Sequence, residues 1–247
     1  MAAIVEGLGS RLPTTAQPGW PGLHSITFTG LDEQLPWSRW LDMAHRYPVA
    51  EWGVLYSKQR AGQDPRYPSL AWIQGLEDRW PSGVRRALHL CGSAVHDWIA
   101  GDPQLRALAM RFDRLQLNLV ADRTDLAALR YALETGAHGA VITQHHDRNR
   151  RVTEALAGLH NHALLFDRSG GRGQVPDGWP APWPDRAVGY AGGLGPETIL
   201  EQIRRIELVT RGRPYWLDME QALRNALDQF DLALVLEALR RLGLLSS

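Results

Sequence analysis

Eight short apolar segments, helical patterns between most of them and a length of 247 residues predict an α/β protein folded as a single (β/α)8 barrel. Strand-then-helix alternation argues for a parallel sheet covered by helices. Eight units in this length favour closure into a barrel over an open, doubly wound sheet. Few turns resemble GxGxxG, so a dinucleotide fold has no support. The barrel is expected over residues 24–247, after an irregular leader over 1–23 that contains Gly, Pro and Thr.

The segments are HSITFTG (24–30), AEWGVLYS (50–57), ALHLCG (87–92), RLQLNLVA (114–121), GAVITQ (139–144), ALLFD (163–167), AVGYAGG (187–193) and PYWLDM (214–219). Each has the length and composition of a strand. LPWSRWLDMAHRY sets Leu35, Trp40, Leu41 and Ala44 on roughly one helical face. DRTDLAALRYALETG repeats leucine at 126, 129 and 133 and offers Gly136 as a stop. GPETILEQIRRIELV places Pro196 in the expected first turn, ahead of Ile199, Ile203 and Ile206. FDLALVLEALRRLG closes the chain as an apolar helix. After strand six the helix is expected to be weak or missing, because QVPDGWPAPWPD holds four prolines.

Composition narrows the function. With 44% hydrophobic and 22% charged residues the chain suits a soluble globular protein with a sizeable core. Formal net charge is zero and no basic block occurs, so neither nucleic acid nor a membrane surface is an expected partner. No apolar run reaches the ~18 residues of a membrane span. One cysteine, Cys91, leaves no internal disulfide and fits a reducing cytoplasm. Lys58 is the single lysine, so a Schiff-base mechanism has one available side chain, and that side chain reads as a loop residue.

In a barrel of this kind, functional groups gather where strands end. The strand ends here supply Thr29, Ser57, His89, Cys91, Gln116, Asn118, His145, His146, Asp147, Asp167, Asp218 and Glu220. Asp218 and Glu220 are two apart and share a face. This is more polar chemistry than a barrel interior needs, and it predicts a cavity at the strand C-terminal ends. The glycine clusters GGRG (170–173) and AGGLG (191–195) follow strands six and seven. Glycines let backbone N–H groups approach an anion, so a phosphate cradle is expected there, with Arg172 adding charge.

These segments, in this order, resemble phosphoribosylanthranilate isomerase, a TIM barrel of tryptophan biosynthesis. LLFDRSGGRG is similar to that family's strand-six motif of apolar residues, Asp and GGxG. VGYAGGLGPETI resembles AGGLxPENV, TFTGL resembles KICGLT, DPRYP resembles SPRYV, and LQLN resembles VQLHG. The match spreads over most of residues 25–240. The resemblance implies an Amadori rearrangement of a phosphorylated aminoribose, without cofactor or metal. It makes Asp167 the general acid and Arg66 the ligand of a substrate carboxylate. Gly171, Gly173, Gly192 and Gly193 match the phosphate-side glycines.

Several positions depart from the family. Thr29 stands at the cysteine that acts as base, and Thr27 at the lysine before it. The strand-eight DVSSGV appears as DMEQAL: Asp218 is kept, while Met219, Glu220 and Ala222 replace two serines and a glycine. The loop before DPRYP carries an extra AGQ. A threonine hydroxyl has no thiolate-like form near neutral pH, so the base must come from elsewhere. Glu220, His145, His146 and Cys91 are the candidates, in that order, with Gln116, Asn118 and Asp218 as further substrate ligands. Glu220 could instead pair with an arginine such as Arg172.

The expected function is therefore isomerisation of a phosphorylated sugar or related small anion. One alternative is a barrel that binds a small anion without chemistry. Another is a metal-assisted hydrolase or lyase using His145, His146, Asp147 and His89. Adjacent histidines on a strand point opposite ways, which weighs against one ion taking both. The HNH sequence at 160–162 falls before strand six and reads as structural.

Overall fold

The structure is a computed structural model, which describes residues 16–136, 139–167 and 175–245. Eight parallel strands close on themselves in sequence order. They are β1 (Leu23–Thr29), β2 (Ala50–Tyr56), β3 (Arg85–Cys91), β4 (Arg114–Asn118), β5 (Ala140–His145), β6 (His162–Phe166), β7 (Val188–Ala191) and β8 (Tyr215–Met219). Thr27 is paired with Glu51 on one side and Asp218 on the other, so β1 joins β2 and β8 and completes the ring. All eight expected strands are present. β3 starts two residues early because Arg85 and Arg86 extend it. β4 stops at Asn118 because Ala121–Arg123 turn into a 3-10 helix.

Helices Trp37–Arg46, Leu126–Gly136, Ile199–Thr210 and Leu232–Arg241 lie where the apolar spacing predicts them. Asp231 caps the last, accepting from Ala233 N at 2.8 Å. Pro196 stands in a preceding turn rather than in the first helical turn. There Thr198 Oγ1 donates to Gly193 O at 2.7 Å, and the helix begins only at Ile199. Between β6 and β7 no helix forms among the described residues 175–187. The four prolines keep that segment irregular, with bends and a turn, and Trp179 Nε1 donates from it to Gln202 Oε1. Of the expected leader, residues 1–15 lie outside the described part. Trp20 closes against the last helix, its Nε1 donating to Leu242 O at 2.8 Å.

Alternation along each strand sorts two environments. Outward residues such as Ile26, Phe28, Trp52, Val54, Leu115, Leu117, Tyr190 and Leu217 pack against the helices in one large core. The inward residues divide by position around the ring. Toward β5–β8 an apolar cluster fills the interior, Ile142, Ala163, Leu165, Ala191 and Trp216, with polar Gln144 and Asp218 beyond it toward the strand ends. Toward β1–β4 they are polar and buried: Ser25, Thr27, Thr29, Glu51, His89, Arg114 and Gln116. Gly189 permits this packing, since a Cβ there would lie 2.1 Å from the Trp216 ring.

A buried ion pair spans the polar side. Arg114 Nε reaches Glu51 Oε2 at 2.8 Å and Oε1 at 3.0 Å, and Nη2 donates to Thr27 Oγ1 at 2.8 Å. Thr27 Oγ1 in turn donates to Glu51 Oε1 at 2.9 Å. The guanidinium stacks 4.6 Å from the Trp216 ring centre. Burial would raise the Glu51 carboxyl, but the charge and hydrogen bonds of Arg114 hold it below the usual carboxylate range. Removing one partner strands the other charge in a dry interior. Glu51→Gln is expected to cost about 3–5 kcal/mol in urea denaturation, with Arg114→Met recovering part of that loss in the double variant.

Candidate active site

At the C-terminal ends of the strands a cavity of about 310 Å³ opens. Its wall includes Gln116 from β4, Leu165 and Asp167 from β6, Ala191, Gly192 and Gly193 from β7, and Asp218 and Glu220 from β8. Of the expected strand-end residues, Gln116, Asp167, Asp218 and Glu220 therefore meet on one cavity. Three of them are carboxylates, and no lysine, arginine or histidine lines the cavity among the described residues. Gly171, Arg172 and Gly173 lie outside the described residues.

Each acid is held differently. Asp167 follows the last residue of β6, is 4% exposed, and accepts from Gln144 Nε2 at 3.1 Å. Asp218 faces inward from β8 and accepts from Thr29 Oγ1 at 2.7 Å. A Cβ on Gly53 would lie 2.6 Å from that hydroxyl, so the glycine on β2 makes room for it. Burial pushes the Asp218 carboxyl up to about 7. The Thr29 hydrogen bond opposes that rise, and the charge of Glu220 adds to it.

Glu220 lies just past β8, yet it lines the same cavity as Asp218. Among the described residues it pairs with Arg66, at 3.3 Å, while Arg172 lies outside them. Burial also pushes the Glu220 carboxyl up, against the charge of Arg66. Its side chain is 32% exposed, so water screens it more than it does Asp218.

Arg66 sits on the DPRYP loop. Asp64 shapes that loop by accepting from Arg66 N at 3.0 Å, an Asx turn that the sequence signals. The guanidinium also meets Asp228 at 2.8 Å. Asp228 is shared with Arg224 at 2.9 Å, and Arg224 reaches Asp32 at 3.0 Å and Gly30 O at 2.9 Å. This network ties the loop after β2 and the end of β1 to the loop after β8. Sequence reading missed Arg224, Asp228 and Asp32, which lie in loops with no motif of their own.

The remaining candidates separate. Gln116 is 3% exposed; its Nε2 donates to Asn118 Oδ1 at 3.0 Å, and its Oε1 has no partner among the described residues. Asn118 in turn donates to Cys91 Sγ at 3.2 Å. Burial pushes the Cys91 thiol up to about 11, which removes it as a base near neutral pH. His145 turns outward, bonded to Thr153 at 2.7 Å and packed on Phe166 and Trp183. His146 is held below the usual histidine range, chiefly by burial. His89 is deep in the barrel, where burial brings it down to about 3.

Among the described residues, no group of three or more His, Cys, Asp or Glu is placed to hold a metal ion. Lys58 pairs with Asp97 at 2.6 Å on the surface, and that hydrogen bond raises its pKa. His162, in the HNH sequence, bonds Thr143 at 2.8 Å and Arg186 at 3.1 Å behind the sheet, a structural role. No helix of the described residues is long and apolar enough to cross a membrane.

The Asp218 carboxyl makes stability depend on pH. An unfolded aspartate titrates at about 3.9. Between there and about 7 the folded chain holds a proton that the unfolded chain has released, so stability falls as pH rises. Asp218→Asn has no such proton. Its stability relative to the unaltered protein is expected to rise from pH ~4 to pH ~8 by an amount on the order of a few kcal/mol, measured by urea denaturation at each pH.

No protein-family model matches the sequence, and no curated protein matches it. Solved structures do. The chain is similar to TrpF from Jonesia denitrificans at 16% identity and a TM-score of 0.57, covering 89% of this chain and 97% of that one. It is similar to phosphoribosyl anthranilate isomerase from Thermotoga maritima at 15% identity and a TM-score of 0.59, covering 89% and 98%. The same enzyme from Thermus thermophilus aligns at 18% identity and a TM-score of 0.59, covering 90% and 100%. At these identities the likeness establishes architecture: the chain is a (β/α)8 TIM barrel with the fold of the phosphoribosylanthranilate isomerases.

Proposed function

We propose that this barrel is an isomerase acting on a phosphorylated sugar or a related small anion by general acid–base catalysis. The observation that carries this reading is the meeting of Asp167 and Asp218 on one cavity, from β6 and β8. Two carboxylates in unlike settings can divide acid and base roles. A phosphoribosyl anthranilate isomerase of the same fold has been solved with reduced 1-(o-carboxyphenylamino)-1-deoxyribulose 5-phosphate, which supports the same ligand class here.

The phosphate end is assigned to the glycine loop after β7. Gly192 and Gly193 have φ of 103° and 65°, a conformation that turns backbone N–H groups toward an anion at little steric cost. Gly171, Arg172 and Gly173 are assigned to the same end from the sequence. Gln116 serves the sugar, its Oε1, without a partner among the described residues, accepting from a hydroxyl or amine. Arg66 takes a substrate carboxylate in exchange for Glu220 or Asp228.

Asp167 gives its proton to the ring oxygen as the C1–O bond breaks, and the lone pair of the C1 substituent forms a double bond to C1. A second carboxylate then takes the proton from C2. The C–H electron pair becomes the C1=C2 bond, and the earlier double-bond pair returns to the substituent. The enol tautomerises to the ketone: its hydroxyl proton returns to Asp167 and the proton held by the second carboxylate goes to C1, so both carboxylates end as they began.

Purified protein is expected to turn over phosphoribosylanthranilate, and Asp167→Asn to lower kcat by about 10²–10⁴-fold. Thermal shifts with inorganic phosphate and ribose 5-phosphate but no turnover would favour a binding protein without chemistry. Neither turnover nor shift would end the sugar-phosphate reading.

A further inference from the structure

We propose that Asp218 is the base of this site, taking the proton from substrate carbon, and that Thr29 is its positioning residue; this rests on the isomerase reading above. It moves the base from Glu220, the first choice on sequence, to the neighbouring inward position of the same strand end.

Geometry argues for the pair. Thr29 is fully buried on β1 and reaches Asp218 Oδ1 at 2.7 Å. One carboxylate oxygen is thus fixed from behind while the residue still lines the cavity. Gly53 keeps that place open for the hydroxyl. The other candidates are occupied or placed elsewhere, His146 being absent from the cavity wall. Glu220 is tied to Arg66, His145 bonds Thr153 outside the barrel, and the Cys91 thiol receives a hydrogen bond from Asn118.

Thr29 therefore supplies no thiolate-like base; it orients a carboxylate that does the same work one strand away. The bond changes are those of the proton transfer above, with the C2 proton going to the free oxygen of Asp218 and the C–H electron pair to the C1=C2 bond. No oxidant, reductant or metal is required.

The electrostatic setting suits this task. The inward neighbours on β1 and β7 are Ser25, Thr27, Thr29, Gly189 and Ala191, none of which titrates. Across the barrel Glu51 and Arg114 face Asp218 with opposite effects, and Glu220 lies beside it. Asp167 lines the same cavity. A carboxylate with raised proton affinity removes a carbon-bound proton more readily than an ordinary one.

Two measurements on the full chain test the proposal. In the first, kcat/KM for phosphoribosylanthranilate is followed against pH. Asp218→Asn is expected to lose at least about 100-fold. Thr29→Val removes a donor that stabilises the carboxylate, so the acidic limb of the profile should move to higher pH, while Thr29→Ser keeps it in place. In the second, carbon-13 NMR of carboxyl-labelled aspartate, with Asp218→Asn to assign the signal, follows the same titration without substrate. The Asp218 midpoint should rise in Thr29→Val.

Turnover by the unaltered protein together with an active Asp218→Asn would overturn the base assignment and leave the isomerase reading standing. An acidic limb and an NMR midpoint that both stay in place in Thr29→Val would overturn the positioning role. No turnover by the unaltered protein would overturn the isomerase reading, and the base assignment with it, while the NMR midpoint would still decide whether Thr29 controls Asp218.

Discussion

The Glu51–Arg114 pair inside the barrel is the contact on which the remaining interior depends. A (β/α)8 interior is normally filled with branched apolar side chains. Here one side of the ring carries a buried guanidinium and a buried carboxylate, 5% and 1% exposed. Neither charge could stay there alone. Thr27 bonds to both, and the Trp216 ring covers the guanidinium. With these groups filling the polar side, the opposite strands close the ring with Ile142, Ala163, Leu165 and Ala191. Gly189 follows from the same packing, because the indole occupies the space a side chain would need.

Much of this was legible in the sequence, for reasons that can be assigned to residues. RLQLNL alternates polar and leucine without a break, which is the signature of a strand with a polar interior and a helix-covered back. HSITFT carries Ser25, Thr27 and Thr29 on one face in the same way. Strand order and barrel closure follow from the number and spacing of such segments. The pairing of Glu51 with Arg114 was not legible. It joins residues 63 apart across the ring, and alternation gives the facing of a side chain but not its partner. Arg224 and Asp32, 192 apart in loops, were hidden for the same reason. The extent of β7 was overestimated, since AVGYAGG reads as continuous while the positive φ at Gly192 ends the ladder at Ala191.

The network of Arg66, Arg224, Asp228 and Asp32 separates two kinds of charge at the mouth. Arg224 and Asp32 are both buried, their side chains 2% exposed, and they fix the loop after β8 to the end of β1. Arg66 and Asp228 are exposed enough, at 24% and 45%, for water to compete for them. A buried pair is costly to break, whereas an exposed one exchanges partners for little free energy. The inner pair can therefore hold the loop while the outer one changes partners. Only the outer guanidinium is suited to receive a carboxylate from a ligand, and it can do so without loosening the loop that carries Glu220.

Burial of Asp218 connects stability to chemistry. A carboxylate 7% exposed, beside Glu220 and near Glu51, costs the fold stability wherever it is ionised. Filling the same position with an apolar residue would remove that cost. The proton affinity that destabilises the fold is also what gives the carboxylate strength as a base, and Thr29 moderates it through one hydrogen bond. Thr29 and Asp218 are then one device spread over two strands. The register that brings β1 against β8 sets its geometry, with Thr27 opposite Asp218 and Thr29 reaching across from one pleat further along. A cysteine at position 29 would need no such partner. A threonine there does, and ring closure supplies it.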